Sequence, residues 1–167
     1  MVETFLRDLR QPEYVHTLLN PLPIYGLAVA LLALLIALIL KNRAAQTIAL
    51  GLVFLCALSV WPVIVLGERA YDNVLTLSDE DGRAWLEAHE DRAERLSYVF
   101  YALAGVAFAA IVAPKRWPQT ALPLTIAALL LGLGSLGAGA SIASAGGKIR
   151  HREFRTVPPP PHSEARP

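Results

Sequence analysis

Four long stretches of this chain contain no charged residue, and they constrain its fold more than any other feature. They cover residues 22–40, 44–66, 96–113 and 121–145, and they are 19, 23, 18 and 25 residues long. At a rise of about 1.5 Å per residue, such helices reach about 27–38 Å, which matches a bilayer hydrocarbon core of about 30 Å. Each stretch is therefore long enough for a transmembrane helix.

The composition supports lipid as the surrounding medium. Hydrophobic residues make up 54% of the chain and charged residues 17%, whereas a soluble domain carries about 25% charged residues. The formal net charge of +1 gives no sign of a nucleic-acid partner. The single cysteine, Cys56, excludes a disulfide scaffold and a cysteine-based metal cluster within one chain.

The lengths of the connections predict the architecture. Residues 41–43 and 114–120 are short links, and the connection between them in sequence is long. Short links make neighbouring helices antiparallel, so we expect an all-α integral membrane protein, an up-down-up-down four-helix bundle. Pro62 predicts a kink after Trp61. The expected parts are an N-terminal interfacial segment (1–21), a transmembrane domain (22–145) containing an extramembrane helical loop (67–95), and a basic, then Pro-rich, flexible tail (146–167).

Small residues indicate where helices approach one another. Helices in lipid associate by close packing, which favours glycine, alanine and serine at the contact. Spans three and four both carry such residues at four-residue spacing, and we expect them to pack together or to form a homodimer. The predicted packing residues are Gly105, Ala109, Ser135, Gly139, Ala143 and Gly147.

Four spans place both termini and the 67–95 loop on one side of the membrane, here called side A. Side B holds only the two short links. Side A carries eleven Lys and Arg residues, and side B carries four without any acidic residue. The larger count favours side A as the cytoplasmic side, and the denser basic links favour side B. The composition leaves the orientation open.

Side A is the place where chemistry is expected. No Asp, Glu, Lys, Arg or His lies inside the four apolar stretches, which argues against proton pumps and ion-coupled carriers. His89 lies seven residues before span three and His151 six residues after span four, so extended helices would hold both at one depth. Two imidazoles suit a haem, with haem b as the candidate cofactor, or another metal.

An alternative is a polar lid in which these histidines only make hydrogen bonds. Trp85, His89 and Arg92 recur at helical spacing and share one face. His16 and His162 lie in the flanks, where we expect them to be solvated. The predicted lid residues are Glu68, Tyr71, Trp85, Arg92 and Glu153.

The opening Asn20-Pro21-Leu22-Pro23-Ile24-Tyr25, the four spans, and the exit Gly146-Gly147-Lys148-Ile149-Arg150-His151 together resemble an uncharacterised bacterial inner-membrane family, a domain of unknown function. Its members usually open with H-P-x-x-x-H-F-P and close with a glycine pair. This chain has Asn20 and Tyr25 where the family has histidines, so any site that those histidines form is in doubt here. The resemblance carries over to Pro21, His89 and the 146–151 exit. It implies a periplasmic side A and a redox setting.

Two function classes follow from these patterns. The first is a non-catalytic subunit or scaffold of a membrane complex, in which the lid docks another membrane or periplasmic redox protein. The second is a haem- or metal-binding electron-transfer protein that uses His89 and His151. No arrangement of catalytic residues is apparent in the sequence, so we do not expect an enzyme. The lipid bilayer is the expected environment, and nucleic acid is not an expected partner.

Overall fold

The structure, a computed structural model, describes residues 2–161. Four antiparallel helical rods dominate the described residues, and no strand occurs among them. Each rod is long and apolar enough to cross a membrane; they span Pro12–Ile39, Arg43–Thr76, Glu80–Lys115 and Pro118–Arg150. This confirms the predicted all-α four-helix bundle and supports a multi-pass membrane protein.

The four rods are built from shorter helices. A π-helical turn, Leu22–Gly26, joins two helices of the first rod, and 3-10 turns occupy Ala113–Lys115, Pro118–Thr120 and Arg152–Phe154. In chain order the α-helices are α1 (Val2–Asp8), α2 (Pro12–Leu19), α3 (Leu27–Ile39), α4 (Arg43–Leu58), α5 (Val60–Thr76), α6 (Glu80–Val112) and α7 (Ala121–Arg150).

On side A the helices extend beyond the apolar stretches. Helix α5 continues to Thr76 and α6 starts at Glu80, so the predicted 67–95 loop is two helical extensions joined by a turn. Helix α7 continues through the glycine pair to Arg150, so the tail begins at His151 and not at residue 146. The part of the predicted flexible tail at 162–167 lies outside the described residues.

Two of the rods are interrupted, and the other two are continuous. The first changes from α2 to α3 through the π-helical turn, which contains Pro23. The second is interrupted at Ser59, between α4 and α5. We predicted a kink after Trp61, but the interruption lies earlier. Pro62 has no N–H for the carbonyl of residue 58 and its ring crowds that carbonyl, so the helix is disturbed one turn before the proline.

The interruptions lie at the same depth in the bundle. A Cβ added at Gly26, the last residue of the π-helical turn, would lie 3.1 Å from the Cys56 Sγ, three residues before Ser59. On the side B half, α3 and α4 pack with α6 and α7 around a shared apolar core. On the side A half, α2 packs mainly on α5, and contacts between α5 and α6 are sparse. The side A half therefore consists of two helix pairs, α2–α5 and α6–α7.

The most extensive helix contact is between α6 and α7. Ser135 is fully buried, and Gly139 lies against Phe100 and Ile24. Gly105 is exposed, and no atom lies within 4 Å of where its Cβ would be. Gly105 therefore takes no part in the contact predicted for it within the chain. Helix α6 packs on both α4 and α7. The buried positions of its apolar half are Ser97, Phe100, Leu103, Ala104, Ala107 and Ala110.

The other predicted packing residues lie around this contact. Ala109 is half-buried. Ala143 is also half-buried and lines a cavity described below. Gly147 faces the ring of Phe154, whose Cδ2 lies 3.5 Å from the position of an added Cβ.

Candidate functional site

A cavity of about 560 Å³ lies between the two helix pairs on side A. Pro23, Ile24, Val60, Phe100 and Gly139 form its apolar floor. The cavity exists because the first two rods are interrupted at the depth of this floor, while α6 and α7 continue without a break. Its volume falls in the range of about 300–1,000 Å³ that small-molecule and cofactor sites occupy.

His16 lies on the wall of this cavity that α2 and α5 form. Its Nδ1 lies 2.8 Å from the backbone oxygen of Val63 on α5. A Cβ added at Gly67 would lie 3.1 Å from the Cε1 of His16, so the ring packs directly on this glycine. The prediction that His16 is solvated is wrong, because α2 folds back onto α5 and half-buries the ring.

His89 lies on the opposite wall, formed by α6 and α7. Its Nδ1 lies 2.9 Å from the backbone oxygen of Ile142 on α7. A Cβ added at Gly146 would lie 3.0 Å from the Cε1 and Nδ1 of His89. Each histidine is thus anchored to a carbonyl of the neighbouring helix of its own pair and packs on a glycine of that helix.

The hydrogen bonds determine the tautomer of both rings. A carbonyl oxygen only accepts, so Nδ1 carries the proton and donates it. When such a ring is neutral, Nε2 is the nitrogen with a lone pair, which is the form that binds metals. His89 lies in the charged part of α6 before the apolar stretch. Burial lowers its pKa, and the nearby His16 and Arg92 lower it further, while the bond to Ile142 opposes this shift. The neutral form of His89 is therefore favoured.

The two rings lie close to each other and both line the cavity. Their centroids are 6.5 Å apart and their planes lie at 84° to each other. Two imidazole nitrogens that bind one metal ion from opposite sides, each at about 2.0–2.1 Å, bring the ring centres about 6 Å apart. The observed separation of the His16 and His89 rings is close to that value.

The residues fit a haem better than an ion bound by protein alone. Among residues 2–161, no group of three or more His, Cys, Asp and Glu side chains is arranged to hold a metal ion. A structural or catalytic zinc site needs three or four protein ligands. A haem iron takes its equatorial ligands from the porphyrin and needs only axial ligands from the protein. The cavity floor offers apolar contact to such a ring.

Charged side chains gather at the side A rim of the cavity. The acidic residues of the lining are Glu13, Glu68, Glu90 and Glu94, and Arg150 is the single Lys or Arg among the described lining residues. Arg150 is therefore the side chain available to pair with a carboxylate of a bound ligand. Tyr71 also lines the cavity.

His151 does not join His89 in this cavity. It is exposed, its Nδ1 lies 2.9 Å from an oxygen of Glu153, and its ring stacks on Phe154. Because α7 ends at Arg150 and the chain then forms a short 3-10 helix, His151 does not continue α7 as we expected. The structure pairs His89 with His16 instead.

The remaining predicted lid residues are dispersed. Glu68 is exposed at the rim. Arg92 donates a hydrogen bond of 2.8 Å to the backbone oxygen of Ser141, next to the carbonyl that His89 uses. Trp85 is 3% exposed and packs in a small apolar cluster, with the Lys148 Nζ 4.2 Å from its ring centroid. Its indole Nε1 has no hydrogen-bond partner among the described residues.

Sequence reasoning missed His16 and Gly67. The available signals were weak: Pro12 suits the start of a short helix, and an isolated glycine inside a helical pattern often has a packing reason. Neither signal indicates that α2 folds onto α5.

The chain was compared with protein-family models, curated proteins and solved structures, and no family model, curated protein or solved structure matches it. The resemblance to the bacterial inner-membrane family stays a prediction.

Proposed function

We propose that this chain is a multi-pass membrane electron-transfer protein that holds one haem b between His16 and His89. The observation that carries the proposal is the 6.5 Å separation of two imidazole rings, each oriented by a backbone carbonyl. A bound haem supplies one-electron redox chemistry. The proposed location is the bacterial inner membrane with side A in the periplasm, and the proposed partner is another membrane or periplasmic redox protein.

In this proposal the side chains of the cavity bind and orient the haem. The Nε2 atoms of His16 and His89 would hold the haem iron, and their Nδ1–H bonds to backbone carbonyls keep the rings in place. Phe100, Ile24 and Val60 would cover the apolar edge of the haem and exclude water from it. Arg150 would pair with a propionate at the rim.

The test is a titration of the detergent-purified protein with hemin, followed by visible absorption. We expect a Soret band and the bands of a low-spin, six-coordinate haem. Because each imidazole supplies one axial ligand, His16→Ala and His89→Ala should each remove the low-spin spectrum. His151→Ala is the matched control, since His151 is exposed and bound to Glu153, and it should leave the spectrum unchanged.

The same titration separates this proposal from the two functions predicted from the sequence. Loss of the low-spin spectrum in His151→Ala, with His16→Ala unaffected, would instead support ligation by His89 and His151. A wild-type protein that binds no hemin would contradict the haem proposal. That result would favour the non-catalytic scaffold function, with side A as the docking surface.

A further inference from the structure

The side B end of the bundle concentrates positive charge. All 14 Asp and Glu residues of the chain lie within 3–13, 68–94 or 153–164, which belong to side A. The two side B links carry four cations and no acidic residue: Lys41, Arg43, Lys115 and Arg116.

The structure brings the two links together through Arg43. Its Nη2 donates a hydrogen bond of 2.7 Å to the backbone oxygen of Ala110 near the end of α6. Its Nη1 donates bonds of 3.3 Å to the Thr125 hydroxyl on α7 and 3.2 Å to Gln46 on its own helix. Arg43 therefore ties α4 to both helices that flank the second link. The two basic links form one surface, here called the side B cationic surface (41–43 and 115–117).

Arg43 is engaged in hydrogen bonds within the protein, but the other cations of this surface are exposed to the surroundings. Lys41, Lys115 and Arg116 are exposed. Trp117 beside them is 56% exposed, and tryptophan is enriched at the boundary between hydrocarbon and headgroups. Four like charges gathered on one surface repel one another unless counter-charges lie close by.

The cations of side A are used differently. Arg155 and Arg152 both pair with Asp79, and Lys148 lies over the ring of Trp85. The basic 148–155 segment is thus largely engaged within the protein. Among residues 2–161, the side B links are therefore basic segments without an acidic residue beside them in the sequence.

We infer that the side B cationic surface binds the phosphates of anionic phospholipid headgroups. This inference is independent of the haem proposal, because none of its residues lines the cavity. The positive charges come from Lys41, Lys115 and Arg116. Arg43 keeps the two links close together through its hydrogen bonds to α6 and α7. Trp117 anchors the surface at the level of the headgroups. Anionic headgroups attract basic residues within about a Debye length, about 10 Å at 0.1 M salt.

The experiment compares the thermal unfolding midpoint in nanodiscs of phosphatidylcholine with the midpoint in an equimolar mixture of phosphatidylcholine and phosphatidylglycerol. The wild-type midpoint should rise with the anionic lipid, and added salt should reduce the gain. The variant Lys41→Gln/Lys115→Gln/Arg116→Gln should lose the gain. Arg43 is left in place because it holds three helices together.

The matched control is Arg10→Gln/Arg69→Gln/Arg95→Gln, which removes the same charge from exposed positions on side A. This control should keep the gain from phosphatidylglycerol. An equal gain in the side B variant would overturn the inference. A gain reproduced by inorganic phosphate with phosphatidylcholine alone would also overturn it, since the site would then bind a soluble anion and not a lipid.

Discussion

At the scale of the residue, the two cavity histidines share one local design. Each ring is anchored to a carbonyl on a neighbouring helix and rests on a glycine there. The sequence identified His89, because its spacing from Trp85 and Arg92 places it on a covered helical face. It could not identify His16, because one histidine in a short polar helix has no periodic pattern to indicate burial.

The close contact between Gly146 and the His89 ring leads to a testable prediction. Gly146→Ala should weaken hemin binding by about 10–100-fold, the usual cost of disturbing the support of a metal ligand. The added Cβ would lie 3.0 Å from the His89 ring, which must then shift by a few tenths of an ångström. Hemin titration measures the effect.

Gly137→Ala is the control on the same helix, since nothing lies within 4 Å of its added Cβ. It should leave hemin affinity unchanged. Equal affinity in Gly146→Ala and Gly137→Ala would show that the close approach at Gly146 does not position His89.

At the scale of the element, a clasp joins the start of α6 to the end of α7. Asp79 accepts two hydrogen bonds of 2.9 Å from the Arg155 guanidinium and one from the N–H of Gly82. Arg155 also donates to the carbonyls of Lys148 and Ile149 at the end of α7. From the sequence, the 78–81 segment predicts a helix start, but a tail cation that lies 76 residues away could not be paired with it.

The atoms of this clasp pack tightly around Gly82, so a larger residue at this position should destabilise the protein. A Cβ there would lie 2.7 Å from the backbone oxygen of Ile149 and 2.6 Å from the Asp79 Oδ1. Gly82→Ala should therefore destabilise the protein by about 1–3 kcal/mol, the usual cost of overpacking. Thermal unfolding in detergent measures it.

The comparison for Gly82→Ala is Gly105→Ala on the same helix, where the added Cβ meets open space. Alanine has a higher helix propensity than glycine, so Gly105→Ala should stabilise by up to about 1 kcal/mol. A destabilising Gly105→Ala would indicate that Gly105 packs against another molecule, such as a second copy of the chain.

The clasp also predicts a dependence on pH. The hydrogen bonds from Arg155 hold the pKa of Asp79 well below its ordinary value of 3.8, with smaller contributions from Gly82 and Arg152. A lowered pKa stabilises the folded protein above the ordinary value, and the stabilisation is lost as the pH falls below it. The unfolding midpoint should therefore fall as the pH drops below about 4.

Asp79→Asn tests the origin of that change. The amide keeps a similar shape and cannot titrate, so the variant should unfold at a lower midpoint at neutral pH and should lose the part of the acid dependence that Asp79 contributes. An unchanged acid dependence in Asp79→Asn would assign it to other carboxylates.

At the scale of the whole molecule, two continuous rods and two interrupted ones produce a bundle that is packed on side B and divided on side A. The interruptions were partly predictable from Pro21, Pro23 and Pro62. The common depth of the two interruptions was not predictable from the sequence, because it depends on how α3 and α4 align across the bundle. That alignment opens the cavity.

The proposed orientation predicts the labelling of cysteines in intact cells. In a Cys56→Ala background, Thr76→Cys lies in the exposed side A turn region and Gln119→Cys in the exposed second link of side B. A membrane-impermeant maleimide should label Thr76→Cys in intact cells and Gln119→Cys only after the membrane is opened. The opposite result would place side A in the cytoplasm, and labelling of both in intact cells would contradict the spanning arrangement.

The fold class, and the end of the molecule that carries the acidic residues, follow from the sequence alone. Charge-free stretches of bilayer length permit few arrangements in lipid, because every backbone group must be satisfied within its own helix. The tertiary structure alone decided which residues meet. The pairing of His16 with His89, the clasp between Arg155 and Asp79, and the joining of the two basic links by Arg43 all connect segments far apart in the chain. Such contacts depend on helix rotation and on interruptions in the rods, which composition and periodicity do not encode.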